Sequence, residues 1–274
     1  MHMLVSAVSG WGKGWLAHAL AEKNIKGDTY DRVVVLDTSD EFRGLVSKET
    51  GPGLAAHWFA GPRERDHFSP DVWGDMVDRN EALVVGRNVS KDDWKEVARD
   101  VILGCRQSDH DVLIVIDEAH GIAPEQEGYP NDIRDLATDG RTEGGSATSS
   151  IWVTQRLAQL CKKVVGNCTA RFLGGYQSGN DLNAVKDVLE YPKEAHNTGG
   201  QPVPNLPEKL HAPDEGAISV RKWVEEGPDG EPQTVNSEWI YSDDSGKIER
   251  VESNRYEPEC DHVGAEGKRI EVGL

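Results

Sequence analysis

The stretch that most constrains this chain is DVLIVIDEAH, residues 111–120. Five apolar residues, Val112 to Ile116, end abruptly in two acids, Asp117 and Glu118. An unbroken apolar run of that length suits a strand buried on both faces of a parallel sheet. The acids then stand at its carboxyl end, where open α/β sheets gather ligands. Two readings are open. The run is either a core strand that stops at two solvated acids, or the Walker B arrangement. In the latter the first acid holds the Mg²⁺ shell and the second polarises the attacking water. The motif alone does not separate the two, so the other parts must come from elsewhere in the chain.

One such part lies at the amino terminus. Residues 4–8, LVSAV, read as a strand that runs into Ser9-Gly10-Trp11-Gly12-Lys13-Gly14, with a helix from Trp15 to about Lys23. Strand, glycine loop, lysine and helix is the context of a phosphate-binding loop. Glycines let backbone amides converge on phosphate oxygens, the helix start adds positive potential, and lysine adds a point charge. Ser9, Gly10, Trp11, Gly12, Lys13, Gly14 and Trp15 are therefore the expected nucleotide contacts, against the plain alternative of a glycine turn. Measured on G-x-x-x-x-G-K-[ST], the loop departs at both ends. Ala7 replaces the first glycine, and Gly14 replaces the hydroxyl that ligates Mg²⁺.

The remaining pattern alternates. RVVVLD (32–37) is a second buried strand ending in an acid, with a short strand expected near 55–59, a helix over 70–79 and a strand over 81–88. Ser90, with Asp93 three residues on, opens a helix whose Trp94, Val97, Ala98, Val101, Ile102 and Cys105 share one face. After the acid pair come a helix over 131–139, the strand SIWVTQ (150–155), a helix over 157–165, a strand over 169–173 and a helix over 180–190. This order predicts an α/β fold, a doubly wound and mostly parallel sheet, over residues 1–192. Beyond Tyr191, glycine, proline and acids dominate. Residues 193–274 are expected to form a small β extension, with a hairpin turning at Asp244-Ser245-Gly246 and a loose tail.

Composition narrows the setting. The formal net charge is −18, from 48 acids against 30 bases. The acids recur throughout instead of forming a tail, a pattern expected of a salt-adapted surface. Such a charge argues against a static basic nucleic-acid site. Cys105, Cys161, Cys168 and Cys260 show no metal-site spacing, so reduced thiols are expected. No apolar run is long enough to span a bilayer, and no leader is expected before the first strand.

The order of parts carries more than any single motif. Glycine-lysine loop, Asp117-Glu118, Gly140-Arg141 and Thr154-Gln155-Arg156 follow one another, and the block GRTEGGSATSSIWVTQRLAQLCKKVVGNCTARFLGG includes Asn167 and Arg171. This resembles the HerA–FtsK superfamily of DNA-pumping ATPases over roughly residues 4–190. The resemblance implies a RecA-like P-loop ATPase that uses ATP and Mg²⁺. Asp117 would be the metal ligand, Glu118 would activate water, and Gln155 would sense the γ-phosphate. Arg141 would act as an arginine finger in a neighbouring subunit, with Arg156, Arg134 and Arg171 as competitors. His120 could link the site to DNA or simply end the strand. In layout the chain resembles the genome-packaging ATPases of tailless viruses with an internal membrane, here of a haloarchaeal virus. That implies sequence-independent contact with double-stranded DNA, a homo-oligomeric ring (a hexamer by resemblance) and a capsid or membrane vertex as partner. It places the protein in the host cytoplasm or with the virion. Two alternatives stand beside it: a conjugation- or HerA-type motor of a mobile element, and a non-hydrolysing nucleotide-binding assembly protein, which Gly14 favours.

Overall fold

The structure, a computed structural model, describes residues 1–46, 53–138, 146–186, 188–227, 230 and 232–260. Its first part runs His2–Ser6 (β1), Lys13–Lys26 (α1), Arg32–Asp37 (β2), Arg43–Val46 (α2), Ala56–Ala60 (β3), Pro62–His67 (α3), Pro70–Arg79 (α4) and Ala82–Arg87 (β4). Lys91–Gln107 (α5), Val112–Ile116 (β5), Ala119–Ile122 (α6), Asn131–Thr138 (α7) and Thr148–Thr154 (β6) follow. Lys162–Asn167 (α8), Ala170–Leu173 (β7), Gly179–Lys186 (α9), Lys222–Glu226 (β8), Pro232–Asp243 (β9) and Ile248–Glu252 (β10) complete it.

The strands form one sheet in the order β10-β9-β7-β1-β6-β5-β2-β4-β3, with β8 paired to β9. From β7 to β3 every pairing is parallel. β9 joins β7 antiparallel, and β10 joins β9 the same way. This is the expected doubly wound, mostly parallel α/β fold. The apolar runs are continuous because successive residues bury on opposite faces. Val34, Leu36, Ile114 and Ile116 pack in one core with Trp73 of α4 and the Trp94–Cys105 stripe of α5. Val33, Val35, Leu113 and Val115 pack in the other with Leu16 and Leu20 of α1 and with Val203, Val220 and Trp239. Ser90 caps α5 as its sequence implies, its hydroxyl accepting from the Asp93 amide. α4 and α5 touch at two glycines, where a Cβ on Gly104 would stand 2.6 Å from the Gly74 nitrogen.

Three boundaries differ from the sequence reading, one being the helix expected over 180–190, which spans Gly179–Lys186. β1 ends at Ser6 and α1 begins already at Lys13. The helix expected over 157–165 is broken. A 3₁₀ turn at Leu157–Gln159 gives way to extended residues, and α8 starts only at Lys162. Competition for backbone groups explains the break. Leu160 bridges Pro124, the Glu125 amide donates to the Gln159 carbonyl, and the Cys161 amide donates to the Ala123 carbonyl. Those cross-chain bonds replace the helical ones.

The carboxy-terminal residues continue the sheet of the core. β9 and β10 form the expected hairpin, with Gly246 at φ 83° and Asp243 accepting from Ser245 in the turn. Glu238 on β9 is buried with Arg250 of β10 and Arg221 against it; they outweigh the burial that would otherwise raise its pKa, and hold it low. Farther on, the amides of Glu259 and Cys260 donate to Glu22 of α1. All four cysteines are free and buried. Among the described residues no helix is long and apolar enough to cross a membrane.

Two stability predictions arise here. Of the described acids, only Glu22, Asp37, Glu64, Asp117 and Glu238 are buried, so the net charge of −18 sits largely on the surface. Repulsion among exposed charges is screened by salt. The melting temperature should therefore rise with KCl into the molar range; equal stability in dilute buffer and molar KCl would refute this. The second concerns His196, fully buried between Gly174 and Tyr191. Its Nδ1 lies 2.8 Å from the Gly174 carbonyl, which only accepts, so Nδ1 carries the proton and Nε2 accepts from the Tyr191 hydroxyl at 2.9 Å. Burial pushes its pKa down to about 4. As pH falls below 6.5 the unfolded chain takes up a proton that the fold refuses. Stability is thus complete above pH 6.5 and declines toward pH 4, by about 3 kcal/mol. Urea midpoints at pH 7.5 and 5 should show the loss, and His196→Gln should remove its share of it, leaving that of His2 and His120, whose pKa values burial also lowers to about 4.

Candidate active site

The sheet order decides what meets what. β5, which carries the acid pair, does not lie beside β1, which feeds the glycine loop; β6 stands between them. The carboxyl ends of β1, β6, β5 and β2 therefore deliver the glycine loop, Gln155, Asp117-Glu118 and Asp37 to one edge in that order. They open on a cleft of about 770 Å³ lined by Ser9, Gly10, Gly12, Lys13, Gly14, Trp15, Glu41, Asp117, Glu118 and Gln155.

The loop takes its shape from two glycines. Gly10 has φ 68° and Gly12 φ 86°, left-handed values that only glycine adopts without strain. Gly12 is the cap of α1, so Lys13 and Gly14 form the helix's first turn. Lys13 Nζ donates to the Val8 carbonyl at 3.1 Å. Burial depresses its pKa, against the pull of Glu118, Glu41 and Asp117. Trp11 is turned away from the cleft. It is 1 % exposed, its indole N–H donates to the Glu238 carbonyl at 3.0 Å, and its ring lies over Gly174 and Gly175. Side chains on those two glycines would stand 2.4 and 2.5 Å from the indole.

A contact that the sequence reading missed holds this loop from outside. Lys222 Nζ and Thr234 Oγ1 both donate to the Gly10 carbonyl, at 2.9 and 2.8 Å. Ser237 Oγ donates to the Trp11 carbonyl at 2.7 Å. The β8–β9 ribbon thus clips the glycine loop, and Gln233, Thr234 and Asn254 form one wall of the cleft. No local motif marks these residues, because the contact spans more than two hundred positions.

The two acids of the pair stand in different surroundings. Asp117 is 6 % exposed, and its Oδ2 has no hydrogen-bond partner among the described residues. Burial, then Glu41, Asp37 and Glu118, raise its pKa well above the carboxylate range. A buried, unpaired carboxylate oxygen facing other acids fits a bound cation, which supplies the missing charge. Glu118 stands in the left-handed region at φ 47°, ψ 45°, so its side chain turns from the strand direction toward β6. There its Oε1 accepts from Gln155 Nε2 at 2.9 Å. Burial raises its pKa while Lys13 and Arg156 pull it down. His120 Nδ1 lies 3.1 Å from Glu118 Oε2 and 3.1 Å from Thr154 Oγ1. Burial and the cations Arg156 and Lys91 lower its pKa to about 4. At neutral pH it is therefore an uncharged neighbour of Glu118 and not half of an ion pair.

The four arginines separate by position. Arg156 shares a second cleft with Glu118, His120 and Gln155. Arg134 pairs with Asp135 on α7, and Arg171 lies within β7. Arg141 and its Gly140 lie outside the described residues.

The glycine-lysine loop after β1 and the acid pair on the next strand but one thus meet at the carboxyl edge of an open α/β sheet. The fold is similar to that of the genome packaging NTPase B204 from Sulfolobus turreted icosahedral virus 2 in complex with ATP-gammaS. The TM-score is 0.54 at 14% identity, covering 91% of this chain and 95% of that one. The same NTPase in complex with sulfate gives 0.54 at 12% identity, covering 90% and 94%. At these identities the likeness is one of fold. No protein-family model matches the sequence, and no curated protein matches it.

Proposed function

We propose that this chain is an ATP-hydrolysing motor of the genome-packaging kind, moving double-stranded DNA through a homo-oligomeric ring. The observation that carries the reading is the convergence of Lys13, Asp117, Glu118 and Gln155 at one cleft from strands far apart in sequence. The fold shared with a genome packaging NTPase supports it. When bound with ATP, Mg²⁺ would neutralise charge on the transferring phosphoryl group. Asp117 would hold it through the unpaired Oδ2. Loop amides and Lys13 bind the phosphates, and Glu118 takes the proton of the attacking water. Gln155 fixes the Glu118 carboxylate from the side of β6 and would meet the γ-phosphate edge.

Arg141 remains our candidate for the residue supplied to a neighbour's site. The candidate DNA-facing loop is the segment from Gly121 to Asn131 that leaves the strand of the acid pair; α6 and the bonds of residues 123–125 to residues 159–161 leave 126–130 as its exposed part. That part is flanked by Glu125, whose carboxylate accepts from the Lys162 amide, and by α7 from Asn131, and within it Glu127 pairs with Lys95. The protein's charge makes tight static binding of DNA unfavourable, so enclosure by the ring replaces a basic patch. A second reading, a non-hydrolysing assembly protein, rests on Gly14. Steady-state hydrolysis in molar KCl, with and without double-stranded DNA of unrelated sequences, decides between them. The expected result is Mg²⁺-dependent hydrolysis stimulated by any duplex, with stimulation lost and basal turnover kept when 126–130 is shortened. Nucleotide binding without turnover would favour the assembly protein.

A further inference from the structure

The phosphate loop has lost a metal ligand, and an acid from another strand faces the gap. Gly14 stands where a hydroxyl would meet the cation. Across the cleft, Asp37 ends β2 fully buried. Its Oδ1 accepts from the Glu41 amide and its Oδ2 from the Phe42 amide, both at 3.0 Å. Phe42 is 1 % exposed, so the turn after β2 is pinned at both ends and presents Glu41 into the cleft with Lys13, Gly14, Asp117 and Glu118. β2 and β6 flank β5. Glu41 and Gln155 therefore approach the acid pair from opposite sides. Gln155 Nε2 donates to Glu118. The buried Oδ2 of Asp117 is left without a partner among the described residues.

We propose that Glu41 is a ligand of the nucleotide's divalent cation and takes the place of the hydroxyl missing at Gly14. Mg²⁺ takes oxygen ligands and is commonly held by one or two carboxylates together with substrate phosphates. Asp117 and Glu41 supply two carboxylates on the β5–β2 side, and the phosphates close the shell from the loop side. Burial and the nearby Asp37 and Glu118 raise the pKa of Glu41, and among neighbouring charges Glu41 weighs most on Asp117. A dication between the two removes that repulsion. A structural role for Glu41 is poorly supported, since it is Asp37 that makes the turn's hydrogen bonds.

This assignment rests on the nucleotide-binding reading of the cleft, and the test separates the two. The full chain in molar KCl is loaded with a non-hydrolysable ATP analogue and titrated with Mn²⁺, the free ion being read by electron paramagnetic resonance. Analogue affinity is measured separately in EDTA. Glu41→Gln should weaken Mn²⁺ binding by no less than the roughly 10- to 100-fold that even an outer-shell partner costs. Affinity for the analogue in EDTA should stay level or rise, because a negative charge has left the phosphate pocket. Gly14 lies in the first turn of α1 outside the positive-φ glycines, so its backbone accepts serine. Gly14→Ser added to Glu41→Gln should recover the lost Mn²⁺ affinity. Equal Mn²⁺ affinity in wild type and Glu41→Gln overturns the assignment, and so does a loss that Gly14→Ser leaves uncorrected. A wild-type chain that binds no analogue overturns the nucleotide reading itself and this assignment with it.

Discussion

Glu118→Gln should bind ATP as the wild type does and turn over little of it, with a loss of roughly 10²- to 10⁴-fold as expected for a group that moves a proton in the transition state. The change is nearly isosteric. The carbonyl oxygen of the new side chain can still accept from Gln155 Nε2, which donates to Glu118 Oε1 at 2.9 Å. The left-handed backbone at residue 118 makes the same demand of either residue. On the proposed reading, binding draws on Lys13, the loop amides and Asp117; the substitution removes only a nearby negative charge from them, which leaves affinity level or raises it. Fluorescent-nucleotide titration and phosphate release on one preparation give both quantities. Unchanged turnover would remove Glu118 from the chemistry, and a matching loss of binding would make it a ligand-holding residue instead.

Trp11→Ala should be the most damaging single truncation at the glycine loop. The indole is 1 % exposed and fills the space above Gly174 and Gly175. Truncating a buried tryptophan costs about 3–5 kcal/mol, against a total stability of about 5–15 kcal/mol for a typical domain. The urea midpoint should fall accordingly, and nucleotide affinity should fall with it, because residue 11 lies between the two left-handed glycines. Trp11→Phe keeps part of the packing but loses the bond to the Glu238 carbonyl and some of the contact over Gly175, so its deficit should be smaller than that of Trp11→Ala. A stability change below about 1 kcal/mol in Trp11→Ala would show that the loop holds its shape without the indole.

The sequence reveals the elements whose signals are local. Val112–Ile116, Arg32–Asp37 and the Ser90-capped stripe of α5 fold as their periodicity demands, because strand burial and helix faces are set within a few residues. The glycine loop, Asp117, Glu118 and Gln155 are readable from motif order, and the fold brings them to one cleft. Long-range contacts are not readable. The helix expected over 157–165 loses its middle to residues 123–125, and nothing in its own pattern announces that competitor. Glu41 carries no motif; only Asp37 turning the chain and β2 lying beside β5 give it a place. The ribbon on the glycine loop depends on Lys222, Thr234 and Ser237, polar residues whose composition reads as surface.

That ribbon has a mechanical consequence. Three side chains of β8 and β9 grip the carbonyls of Gly10 and Trp11, while β9 is hydrogen-bonded along β7 and β10. The glycine loop and the far margin of the sheet are thereby joined through hydrogen bonds. Ordering of the loop by a ligand should therefore also slow amide hydrogen exchange along β9 and β10.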